Sequence, residues 1–155
     1  MRKITFMLSL FLGFALSAQV GINTDTPLST LDINGNLSVK HVSLTGAASA
    51  TLIDDGVYIS LSPTADNQEF QLPDPRSFPG RIYIIRNVTD TVDADVTMDP
   101  AAIADGVFFF AGNSSNGFAG PVNMDSDNGS PITNANKTLI FISDGSNWTY
   151  GQLGF

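Results

Sequence analysis

Two aromatic residues near the end of the chain, Trp148 and Tyr150, are separated by one position. In an extended strand that spacing puts both rings on one face, and an exposed pair of this kind can stack on a sugar ring. Core packing is the competing expectation, because the preceding "TLIFIS" needs a covered face and tryptophan is mostly buried. Asp125 and Asp127, in "DSDNG", place two carboxylates one residue apart, as a hard cation such as calcium requires. The spacing departs from an EF-hand loop: Gly129 falls one place early, and Asn136 stands where the closing glutamate belongs. An Asp-Asn-Gly turn therefore accounts for the segment better than an ion does.

Nucleophilic catalysis has little to work with. His41 is the one histidine and cysteine is absent, so a Ser-His-Asp triad would have to use His41, and a zinc site built from several His or Cys is excluded by inventory. No glycine-rich phosphate loop with its lysine occurs. Two aspartates can meet in space from any distance along a chain, so a secreted carbohydrate-active hydrolase using Asp residues is the rival function. Against it, nearly every Asp adjoins Gly, Pro, Asn or Thr, as turn residues do. The expectation is a protein without a catalytic constellation and without a cofactor.

The elements that would position these groups are strands. Glu69 is the only glutamate, the other acids are Asp, and Ala-Glu-Lys stretches are missing, which disfavours helices. Short alternating runs such as "VYISL", "EFQLP" and "VDADVTM" are separated by turn clusters. "GRIYIIRNV" is apolar on both faces and predicts a central strand covered on both sides. Three Asp-Gly pairs, at Asp55, Asp105 and Asp144, predict tight turns between strands. The fold class expected is all-β: a short N-terminal β-ribbon followed by a β-sandwich or jelly-roll-like head.

The organisation reads as three parts. Residues 1–18 have a charged start, the 13-residue apolar run Ile4 to Leu16 and a small-residue cut site before Gln19, the pattern of a Sec signal peptide. That run is shorter than the roughly 20 residues of a membrane span, and no transmembrane segment is expected after cleavage. Residues 19–50 form a stalk-like ribbon and linker, with "GAASA" at 46–50 as the break, and residues 51–155 form the head. In the ribbon, Leu31, Ile33, Gly35, Leu37 and Val39 share one side if the strand is straight, and a three-residue loop would instead pair Ile33 with Leu37. The polar stretch at 112–136 is an insertion pinned by Phe118, Val122, Met124 and Ile132. Loss of Arg2 and Lys3 leaves five basic residues against 15 acidic ones, a balance that excludes nucleic acid as a partner. A small outer-membrane barrel is disfavoured, because the strands alternate too irregularly and end too soon.

Two segments resemble known bacterial proteins. "VGINTDTPLSTLDINGNLSV" resembles the Val-Gly-Ile-x-Thr, Thr-Pro, Leu-Asp-Val-x-Gly segment that follows the signal peptide in many secreted or surface proteins of Gram-negative bacteria, on Val20, Gly21, Ile22, Thr24, Pro27, Leu31, Asp32, Ile33 and Gly35. "FQLPDPRSFPGRIYIIRN", "DVTMDP", "IADG" and "LIFISDGSNW" are similar to β-rich modules of phage tail fibres and related surface proteins, through Leu72, Pro73, Gly80, Arg81, Tyr83, Ile85, Val96, Thr97, Asp105, Gly106, Ser143, Asp144, Gly145, Asn147 and Trp148. The resemblance implies a structural or receptor-binding fibre-like protein, secreted or at the cell surface, commonly a homotrimer, with a surface glycan or receptor as ligand. "DTV" resembles an O-glycosylation acceptor of some Gram-negative secretion lineages, which makes Thr91 a candidate for modification; the triplet Asn87-Val88-Thr89 reads as incidental.

Overall fold

The computed structural model describes residues 20–22, 31–33, 35–126 and 136–152. The expected signal peptide at 1–18, Asp127 and Ile132 lie outside them. The chain divides into two units, one ending at Ser38 and one beginning at Val39. In the first, β1 (Val20–Ile22) pairs in parallel with β2 (Leu31–Ile33), with Val20 beside Leu31 and Ile22 beside Ile33. Both geometries expected for the ribbon are therefore corrected. β2 stops at Ile33 rather than running to Val39, and its partner is an earlier segment rather than its own continuation, which a tight hairpin cannot provide.

The second unit is mostly β, with one sheet of seven strands and one of four. The chain enters with β3 (His41–Thr45), then alternates between sheets: β4 (Thr51–Leu52), β5 (Tyr58–Ser62), β6 (Gln68–Leu72), β7 (Ile82–Asn87) and β8 (Ala94–Met98). β3, β5 and β7 lie side by side in parallel in the large sheet, and β4, β6 and β8 do the same in the small one. These parallel neighbours depart from the antiparallel order of a jelly roll. They also move the domain boundary. β3 is an edge strand of the large sheet and 46–50 is the crossing to β4, so residues 39–50 belong to the head and not to a linker.

The rest of the chain closes both sheets. α1 (Pro100–Ala104) leads into β9 (Phe109–Ala111), β10 (Gly117–Phe118), β11 (Val122–Met124), β12 (Thr138–Ser143) and β13 (Trp148–Gln152). The large sheet runs β10-β9-β13-β12-β7-β5-β3 and the small one β11-β8-β6-β4. The stretch read as an insertion is thus partly architectural, since β10 extends one sheet and β11 the other. α1 was not expected, yet its signals are local. Asp99 caps it by accepting the Ala101 N–H at 2.9 Å, Pro100 fixes the first turn, and Gly106 at φ +83° ends it, so Asp105-Gly106 closes a helix rather than joining two strands.

One buried cluster is filled from both sheets, with Trp148, Tyr83, Phe70, Phe109, Phe141 and Ile53 among its largest members. Outward faces differ. The small sheet turns Glu69, Gln71, Asp95, Thr97 and Asn123 away from the core, whereas β7 turns out Ile82, which is 42% exposed, so β7 is not covered on both sides as its sequence predicts. The 46–50 crossing is held tightly: Gly46 donates its N–H to Ser62, and a side chain there would run into the Gln68 amide, itself bonded to Thr64 N–H (2.7 Å) and the Ala47 carbonyl (3.2 Å). Gly46→Val should cost about 1–2 kcal/mol in urea unfolding through those lost bonds. In a Gln68→Ala background the cost should shrink; full additivity of the two changes would contradict the contact.

Candidate functional site

The residues that carry the resemblance to fibre modules turn out to build a clasp. Ser143 is buried and its hydroxyl donates to the Pro75 carbonyl at 2.9 Å while accepting the Gly145 N–H. Asp144 accepts the N–H groups of Ser146 and Asn147, and Gly145 sits at φ +87°, a conformation glycine adopts without strain. Asn147 accepts the Phe108 N–H at 2.9 Å, tying the turn to β9. Trp148, 0% exposed, donates its indole N–H to the Pro73 carbonyl at 3.1 Å and packs on Tyr83 at 5.8 Å between ring centroids. The first ligand-facing assignment is corrected here. Trp148 is a core residue and cannot stack on a sugar.

Tyr150, two residues on, points the same way and behaves differently because it stands nearer the end of β13. It is half-buried, stacks on Phe141 at 5.7 Å and meets Phe109 and Phe118 edge-on at 6.3 and 6.2 Å. It lines a cleft of about 510 Å³ with Ala111, Gly112, Asn113, Asn136, Leu139, Gly151 and Gln152. The backbone fixes this wall: the Gly112 N–H donates to the Tyr150 carbonyl at 2.7 Å, and β13 pairs Gln152 with Leu139 of β12. Among the described residues the side-chain amides of Asn113, Asn136 and Gln152, all three lining the cleft, make no hydrogen bond, which leaves their donors and acceptors available to a ligand. Among the described residues that line it none is charged. The sequence points to Tyr150, which lines the cleft, but not to the amides beside it, which carry no local signal and lie far apart in the chain.

Many of the described acidic residues are engaged elsewhere. Asp74 caps the 3-10 turn at Pro75–Ser77, and the Arg76 guanidinium beside it holds its carboxyl below the usual carboxylate range; Arg76 also reaches Asp105 at 3.0 Å. Lys40 pairs with Asp55 and Lys137 with Asp90, while Asp93 accepts the Ser126 N–H and Asp95 the Asn123 amide. Asp125 is half-buried in the segment after β11, and no group of three or more His, Cys, Asp or Glu able to hold a metal occurs among the described residues. His41 is exposed on edge strand β3, its Nε2 2.9 Å from the Ser60 hydroxyl. Thr91 is exposed between β7 and β8, whereas Asn87 is fully buried and cannot accept a glycan. Among the described residues no helix is long and apolar enough to cross a membrane. Compared with family models, curated proteins and solved structures, the chain matches none of them.

Proposed function

We propose that this chain is a non-enzymatic, exported surface protein of adhesion type, whose head binds an uncharged glycan, free or on a receptor, in the Tyr150 cleft. The observation that carries the reading is the composition of that cleft among the described residues: one aromatic ring at its wall and three amide side chains without a hydrogen bond, and no charged residue. Sugar hydroxyls pair with amide donors and acceptors, and the apolar face of a pyranose stacks on an aromatic ring. Among the described residues a charged ligand would find no counter-ion there. Export through the Sec pathway rests on residues 1–18, and the frame we infer is a sandwich-like head, supported by the single core shared between two sheets.

A glycan-binding screen with the mature protein tests the assignment. Tyr150→Ala and Asn113→Ala should each weaken binding by roughly tenfold, the loss of one stacking surface or one hydrogen bond to the ligand, without altering the circular dichroism spectrum. A wild-type protein that binds no uncharged glycan, or variants that bind as well as the wild type, would sink it. Turnover of the bound glycan would instead favour the hydrolase.

A further inference from the structure

The outward face of the large sheet is built unlike that of the small sheet. Its register sets apolar side chains in two rows. Ile82 of β7 stands beside Ile142 of β12, and Ile142 beside Thr149 of β13, which neighbours Phe110 of β9. In the adjacent row Tyr58 of β5 stands beside Ile84, and Ile84 beside Ile140. Ile82 and Ile142 are 42% and 39% exposed, and Tyr58, Ile84, Ile140 and Phe110 are half-buried. The six therefore form an apolar strip that spans five strands from β5 to β9, interrupted only at β13, where Thr149 and Gly151 stand between Ile142 or Ile140 and the edge.

Charge singles out the same face. The chain has 15 acidic residues, yet none occupies an outward position on β3, β5, β7, β12, β13 or β9; Arg86 is the one charged residue there. The equivalent positions of the small sheet carry Glu69 and Asp95. Two copies of so acidic a chain would repel across most surfaces, and this face is where they can approach without setting carboxylate against carboxylate. Its extent is also adequate. Seven strands about 4.8 Å apart and about five residues long give a plan area on the order of 500 Å². With side-chain relief a face-to-face pair enters the range of about 1,200–2,000 Å² that stable interfaces bury.

We infer that the outward face of the large sheet is an interface between two copies of this chain, stacked sheet on sheet about 10 Å apart. A single self-complementary patch closes as a two-fold dimer, because the same residues meet across the axis. A trimer of the kind the fibre resemblance implies would need two different, complementary patches. The inference stands apart from the glycan reading, since Tyr150 projects from the opposite face of β13.

Light scattering on the mature protein at micromolar concentration, together with charge substitution, provides the test. The wild type should have twice the chain mass. Ile82→Glu with Ile142→Glu should raise the dissociation constant by roughly 30-fold or more, giving the monomer mass with an unchanged circular dichroism spectrum, whereas Thr97→Glu on the other sheet should leave the dimer intact. A wild type of monomeric or trimeric mass, or a dimer indifferent to the double change, overturns the inference. Should the double variant fail to fold, maleimide labelling of Ile142→Cys in the otherwise cysteine-free chain decides. Labelling that slows as protein concentration rises, unlike that of Leu52→Cys on the small sheet, supports the dimer; equal concentration dependence at both positions overturns it.

Discussion

Trp148→Ala is expected to destabilise the head by about 4 kcal/mol, the largest loss of any single substitution considered. The side chain is completely buried and is the only tryptophan, packed on Tyr83 in the shared core. Truncating a buried Trp to Ala costs about 3–5 kcal/mol through lost transfer free energy and the cavity left behind. The indole N–H also satisfies the Pro73 carbonyl, which would be left without that donor. For a domain whose total stability is about 5–15 kcal/mol, the variant should unfold at roughly 2 M less urea, followed by circular dichroism. Trp148→Phe should recover part of the packing and none of the hydrogen bond. In the wild type, emission from this one tryptophan should resist iodide quenching. A quenchable Trp148, or an unchanged urea midpoint in the alanine variant, would show that the ring faces solvent after all.

Asn87→Ala is the second large effect, for a polar reason. Asn87 is completely buried at the end of β7, and its side chain does the work of a small piece of backbone. Its amide donates to the carbonyls of Val92 (2.9 Å) and Met124 (3.1 Å), and its oxygen accepts the Thr89 N–H (3.0 Å) with the Thr89 hydroxyl at 2.8 Å. One residue thereby folds the β7–β8 turn and fastens β11 to it. Removing it leaves several buried groups unpaired at about 1–3 kcal/mol each, partly relieved by water entering the gap, so a loss of about 3 kcal/mol is expected. Asn87→Asp should be worse at neutral pH, because a carboxylate cannot donate to either carbonyl and would be a buried charge. Its deficit should narrow in acid as the carboxyl gains a proton. Amide hydrogen exchange at 122–126 should quicken in both variants; normal exchange there with a stable alanine variant would show that β11 is held by its strand pairing alone.

The strands themselves were legible because their signals are local. Ile59, Leu61, Phe70, Leu72, Val96 and Met98 alternate with polar neighbours in the sequence, and all six lie in the core. Asp55, Asp105 and Asp144 announced glycines that take positive φ. Even the overlooked helix had its Asp-Pro start and Gly end in plain view at 99–106, hidden only because five residues are too few to show a period.

Composition and alternation, read alone, established a β-rich chain, an acidic one, and a set of turns, since each depends on neighbours a few residues away. Which strands share a sheet was a different matter. Parallel β3, β5 and β7 are joined through strands of the other sheet, and such long-range pairing leaves no periodic trace in the residues between. The same distance in sequence hid the cleft, whose amides come from positions 113, 136 and 152. It also separated two aromatics that looked alike. Trp148 and Tyr150 share a face by strand geometry, but the depth at which each stands in the packed sheets, set by Pro73 and Tyr83 against one and by the cleft beside the other, made the first a core residue and left the second at the edge of a cleft.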